Sequence, residues 1–197
     1  MISNNAVYRN NVRLFERSNT SINSFLLAAY QFLGVKYPKF YKMDNLAKLG
    51  WLAVEVLLKE GFKAGNYKET EIGVVLANAS SSLDADIKYY DTVKDVASPA
   101  LFVYTLPNIV IGEICIRNHF KGENAFFIFE DFDAGFMQKY VANLLNNNIL
   151  QVCICGWVEL LKEDYKAVLF LVEKDKGDRP TSFTIKNMNK IYQLKNG

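Results

Sequence analysis

Residues 98–135 read SPALFVYTLPNIVIGEICIRNHFKGENAFFIFEDFDAG, and the changes of pattern within them decide the fold. The apolar residues after Pro107 recur at helical spacing, and proline is tolerated in a first turn because its missing N–H has no intrahelical partner there. Thr105 is a candidate cap for that helix, which should stop near His119, before Gly122. Residues 125–129, AFFIF, are a continuous apolar run of strand length. A second helix is expected over 132–146, with Met137, Tyr140, Val141, Leu144 and Leu145 on its apolar side and the Asn146–Asn148 run as its stop. Either Asp131 or Asp133 is suited to cap it, since a carboxylate at a helix start accepts backbone N–H groups.

The same alternation extends outward. Residues 43–62, MDNLAKLGWLAVEVLLKEGF, place Leu46, Leu49, Leu52 and Val56 at helical spacing behind Asp44, a plausible N-cap, with Gly61 to close a helix over 44–60. EIGVVLANASSS from Glu71 reads as strand and loop, and VCIC at 152–155 as a strand buried on both faces and ended by Gly156. KAVLFLVEKD from Lys166 is a further strand, and KDKGDRP at 174–180 a solvated turn between two late strands. Strands alternating with helices predict an α/β protein with helices on both faces of a mostly parallel sheet.

Composition narrows the function classes. The chain has 197 residues and a formal charge of +2, a size for one domain, 1–197, with no basic stripe that would track a nucleic acid. No apolar run approaches the ~18 residues of a membrane span, and the polar start lacks the apolar segment of a secretory signal, so a soluble cytoplasmic protein is expected. Cys115, Cys153 and Cys155 with the single His119 offer no zinc-ligand spacing and no disulfide framework, and Cys153 and Cys155 read as core. No metal and no cofactor is expected. Glycine-rich phosphate loops are missing, so nucleotide binding on a doubly wound sheet, a third possibility, has little support.

The order Ser-Pro, Leu-Pro-Asn opening a helix, Lys-Gly-x-Asn, strand and small-residue turn resembles the β-ketoacyl-acyl-carrier-protein synthases. The likeness runs without a gap from this segment past the turn to the strand ending at Gly156, and with the helix after Met43 and the Gly-Val-Val strand, which look like the family's, it covers about 43–159. It implies a three-layer αβα, thiolase-like half-fold on a mixed, mostly parallel five-stranded sheet, similar to short members made of the N-terminal domain alone. In the family the turn carries a cysteine that attacks an acyl thioester, and two histidines lie in a second half-domain beyond the point where this chain stops. Here Asp131 occupies the nucleophile position, Phe129 and Glu130 replace a small Thr-Ala pair, and Trp157 replaces the second glycine of a later pair. His119, at a helix end, does not match either histidine.

These departures imply lost condensing chemistry. The resemblance further implies an interface strand at Phe126, Phe127, Ile128 and Phe129, and an interface or acyl-pocket loop at Thr105, Pro107 and Asn108. The equally weighted alternative is that the phenylalanines fill the interior. The expected role is a non-catalytic subunit of acyl-carrier-protein-dependent fatty-acid or polyene/polyketide biosynthesis. It would act as a homodimer or as the heterodimeric partner of a full-length ketosynthase, with the carrier protein as a further partner. The rival is a carboxylate-dependent acyltransferase or thioester hydrolase using Asp131 and Glu130 as acid and base.

Overall fold

The computed structural model describes residues 1–59, 61–174 and 182–194. A seven-stranded sheet runs in the order β3-β2-β1-β7-β6-β4-β5. Its strands are β1 (Ile2–Ser3), β2 (Ala6–Arg9), β3 (Val12–Glu16), β4 (Ile72–Asn78), β5 (Asn124–Ile128), β6 (Val152–Leu161) and β7 (Asp164–Glu173). Among the described residues the helices are α1 (Ile22–Leu33), α2 (Asn45–Leu58), α3 (Leu83–Val93), α4 (Pro99–Phe102), α5 (Ile109–Asn118), α6 (Ala134–Asn146) and α7 (Ile185–Tyr192).

The sheet is larger and less parallel than the sequence suggests. Among the described residues it has seven strands where five were expected, and only β4 pairs in parallel, with β5 and β6; the other four pairings are antiparallel. Two local features account for this. The N-terminus folds into a β1-β2-β3 meander through Asn4–Asn5 and Asn10–Asn11, four asparagines at positive φ, the backbone that tight hairpin turns require. β6 does not end at Gly156; it continues to Leu161 and turns at Lys162 into β7, pairing over its whole length.

Each face of the sheet buries its own cluster. On one face β4, β6 and β7 pack against α1, α2 and α5, with Phe25, Leu49, Trp51, Val110 and Ile114 buried. On the other, Val75, Cys153, Cys155 and Trp157 pack against α6 and α7. Cys153 and Cys155 are fully buried, and burial, then each other's proximity, raises the Cys155 thiol well above its ordinary range. Both are core residues rather than nucleophiles.

α2 starts as its sequence dictates: the Asp44 carboxylate accepts from Ala47 N at 2.9 Å and from Leu46 N at 3.3 Å. The helix runs to Leu58, with Lys59 as its C-cap, and Gly61 follows at φ 97°; Glu60, the expected last residue, lies outside the described residues. α5 is capped differently from expectation. Its N-cap is Asn108, without a side-chain bond, while Thr105 turns its hydroxyl back to donate to Phe102 O at 2.7 Å. His119 closes α5 in the left-handed conformation (φ 58°), its N–H donating to Cys115 O. The expected turn at 175–180 falls outside the described residues, and the element after it is α7, not a strand. Among the described residues no single helix is long and apolar enough to cross a membrane.

Candidate functional site

β5 delivers the chain to the turn that the sequence marks. It lies parallel to β4 with Ile128 opposite Asn78, and Phe129 N donates to Asn78 O at 3.0 Å. Residues 129–133 then cross to α6, so the turn sits at the C-terminal end of the two parallel strands. That is where α/β sheets generally present ligand-binding groups.

Within the turn the carboxylates divide their roles. Asp133, not Asp131, caps α6: its Oδ1 accepts from Phe136 N at 2.8 Å. Glu130 and Asp131 are exposed, and among the described residues neither makes a hydrogen bond or ion pair. They line an open depression of about 640 Å³ with residues 129–135, Ile185 and Asn189. Replacing Asp133 by alanine should therefore cost about 1 kcal/mol, the usual worth of an N-cap. Asp131→Asn should stay within about 0.5 kcal/mol of the parent, as surface substitutions do. Thermal melts of the two variants separate these roles, and a larger loss for Asp131→Asn would reverse the assignment.

Behind the turn the interior is filled. Phe132 stacks on Tyr192 with ring centroids 4.7 Å apart and meets Trp157 at 6.2 Å, while Trp157 meets Tyr192 edge-on at 6.3 Å. Lys166 closes this cluster, donating from Nζ to Tyr192 O at 2.5 Å and lying 4.0 Å from the centre of the Tyr192 ring. Burial first, then the nearby charges of Asp131, Glu159 and Asp164, raise the Tyr192 hydroxyl above its ordinary range. Glu159 accepts from Ala79 N at 2.6 Å and Ser80 N at 3.1 Å, so a carboxylate of the chain itself occupies the N–H groups after β4.

Among the described residues β5 is an edge strand, paired on one side only, with β4. Its aromatics fold inward to a degree. Phe127 and Phe129 stack on each other at 5.9 Å and meet Phe136 of α6 edge-on at 4.8 and 4.9 Å, whereas Phe126 packs against the opposite core. Ile128 stays 47% exposed. Thr105, Pro107 and Asn108 lie on the approach to α5; none of them lines the depression at Asp131. Phe102, Val103 and Leu106 beside them are exposed.

Tyr192 and Glu159 are neighbours of the candidate site that motif reading misses, because their placement is set by tertiary packing. A local signal for α7 does exist: Thr184 accepts from Asn187 N as N-cap, and Ile185, Met188 and Ile191 follow at helical spacing.

No family model and no curated protein matches this sequence. Solved structures do match its fold. A chain of the AntDE:AntF structure, a type II PKS acyl-carrier protein in complex with its ketosynthase bound to the hexaketide, superposes with a TM-score of 0.52 at 18% identity, covering 72% of this chain and 47% of its own. The ishigamide ketosynthase/chain length factor superposes with a TM-score of 0.50 at 20% identity, covering 62% of this chain and 36% of its own. The chain thus has a ketosynthase-like α/β fold and spans less than half the length of these matched chains.

Proposed function

We propose that this chain is a non-catalytic ketosynthase-like subunit acting in the cytoplasm with carrier-protein-dependent fatty-acid or polyene/polyketide enzymes, as a homodimer or as the partner of a full-length ketosynthase. The observation that carries the proposal is the turn at Asp131. A thioester approaching it would meet an exposed carboxylate with a second acid beside it, and behind them the packed rings of Phe132, Trp157 and Tyr192. A carboxylate attacks a thioester poorly unless a general acid assists, and among the described residues none is bonded to Asp131 or Glu130. The exposed carboxylates leave the acid-base reading with position alone in its favour.

A subunit role draws support from what the monomer leaves uncovered. Among the described residues β5 has an open edge with Ile128 exposed, and Phe102, Val103 and Leu106 add apolar surface near Thr105, Pro107 and Asn108. Unpaired edges and clustered exposed hydrophobes are features of interfaces. Sedimentation of the protein, alone and mixed with a full-length ketosynthase, tests this. A dimer or a mixed complex is expected, and Ile128→Glu should weaken it at least tenfold without lowering the melting temperature of the chain. A monomer at tens of micromolar that binds no ketosynthase would overturn the proposal.

A further inference from the structure

α3 faces the wrong way for an ordinary surface helix, which buries its apolar stripe and leaves its charges to water. Its buried residues are Asp84 and Ala85. Asp84 Oδ2 lies 2.6 Å from Lys88 Nζ, and its Oδ1 accepts from Lys162 N at 3.0 Å, in the turn between β6 and β7. These bonds fix the rotation of the helix. They leave Leu83, Ile87 and Tyr90, a stripe at i, i+4 and i+7, exposed among the described residues, Tyr90 by 69%.

The apolar surface continues past the helix. Val93 ends α3, and Val96, 82% exposed, follows in the link to α4. α4 lies alongside, with the Phe102 ring 5.4 Å from that of Tyr89, and Phe102 and Val103 are themselves exposed. Together these seven side chains expose roughly 600–700 Å², above the largest apolar patch of most monomers and near the ~800 Å² that one partner contributes to a standard interface.

Charge selects the partner. Between Leu83 and Leu106 the chain has four aspartates and two lysines, although its net charge is +2. At helical spacing Asp86 and Asp91 fall on the two sides of the stripe, and Asp95 follows them. Lys94 already occupies this surface as an incoming cation would, 3.0 Å from Asp91 and 5.8 Å from the centre of the Tyr90 ring. A second copy of the chain would bring the same acids to the same rim, and like rims repel.

We infer that this face binds an amphipathic helix of a partner protein, apolar where it meets Leu83, Ile87 and Tyr90 and carrying lysines or arginines on its flanks. Three turns, about 16 Å at ~1.5 Å per residue, cover the stripe from Leu83 to Val93. The stripe supplies affinity and the aspartates supply orientation, as in other helix-on-groove recognition. The inference goes beyond the proposed subunit role: it shares Phe102 and Val103 with that role, but Ile128 and the β5 edge take no part in it.

The probe is the synthetic peptide acetyl-Ala-Lys-Leu-Ala-Lys-Lys-Leu-Ala-Lys-Leu-Ala-Lys-Lys-Leu-Ala-amide, whose leucines share one helix face, titrated at low salt into the full chain labelled with ¹⁵N. Saturable binding is expected, with shift changes confined to residues 83–106. Ile87→Ser combined with Tyr90→Ser should weaken it at least tenfold, and Asp91→Asn combined with Asp95→Asn about threefold with a flatter salt dependence. Unchanged melting curves of both variants, expected of exposed positions, establish that weaker binding does not come from unfolding. The inference is overturned if the peptide fails to bind, if a peptide of the same composition with scattered leucines binds equally, or if the Ile87→Ser, Tyr90→Ser variant binds as the parent does. It is also overturned if phosphatidylcholine vesicles take up the parent and not that variant, which would make the face a lipid contact. Sedimentation of the parent as a dimer and of that variant as a monomer would overturn it in favour of a second copy, whereas the subunit role is read separately from Ile128→Glu.

Discussion

Replacing Gly156 by alanine should destabilise the protein by roughly 3–5 kcal/mol, the range of severe core overpacking combined with a disallowed backbone. Gly156 sits inside β6 opposite Leu169, with φ at 146°, where L-residues are strained. A Cβ built there would lie 2.1 Å from Val168 O and 3.0 Å from Leu169 Cα. Both atoms are main chain in the longest hairpin of the sheet, so they cannot turn aside as a flexible side chain would. Relief would require β6 and β7 to separate in the middle of the ladder, beside Trp157 and the rings behind the Asp131 turn. A loss of this size lowers the melting temperature by roughly 10 °C for a chain of this length. A melting point within two degrees of the parent would show that the β6-β7 ladder is looser than described.

Replacing Asp44 by asparagine should stabilise the protein at pH 8 by up to about 3 kcal/mol and have little effect at pH 4. Burial dominates at this carboxyl and, against the two backbone donors of its cap and the Lys88 charge, raises it from 3.8 to about 6, with Asp84 adding to the rise. A carboxyl whose pKa is higher in the folded than in the unfolded chain binds its proton more tightly when folded. Its favourable contribution is complete below pH 3.8 and is lost as pH rises through about 6. Above that, the ionised group is held at a desolvation cost. Asparagine caps a helix nearly as well and does not ionise, so it removes the cost and keeps the bonds to Ala47 and Leu46. Chemical denaturation across pH 4–8 should give a parent curve that falls between pH 4 and 7 and a flatter variant curve. A variant less stable than the parent at pH 8 would mean that the Asp44 charge contributes more through its neighbours than burial takes away.

What the sequence discloses depends on how local the cause is. α2 is legible because its N-cap and its apolar spacing lie within twenty residues, and the strand after Glu71 and the burial of Cys153 and Cys155 follow from short apolar runs. The N-terminal meander was equally local in origin, since its two Asn-Asn pairs are hairpin signals; its strands of two to five residues are too short to stand out by alternation. Besides the meander, the sheet departs from the parallel expectation where β6 passes Gly156 and returns as β7 instead of crossing over through a helix. Glycine there reads as a strand end, yet it serves the close approach of β7.

At the candidate site the position of Asp131 was legible and its local role was not. Asp131 and Asp133 are two residues apart with the same chemistry, and only the path of residues 129–133 decides which carboxylate meets the N–H groups of α6. The Phe132-Tyr192 stack joins residues sixty positions apart in sequence, a pairing that no periodicity within either segment reveals. The inward turn of Phe127 and Phe129 toward α6, alongside the open edge at Ile128, likewise depends on where α6 lies.

Whether the turn at Asp131 is catalytic is tested by intact-mass spectrometry of the purified protein incubated with acylated and malonylated carrier protein, with Asp131→Asn in parallel. A non-catalytic subunit gives no acyl adduct on the chain, no condensed product and no hydrolysis above the rate without protein, in parent and variant alike. An acyl group transferred to the chain or to water by the parent, and abolished in Asp131→Asn, would contradict it and make the turn at Asp131 an active site.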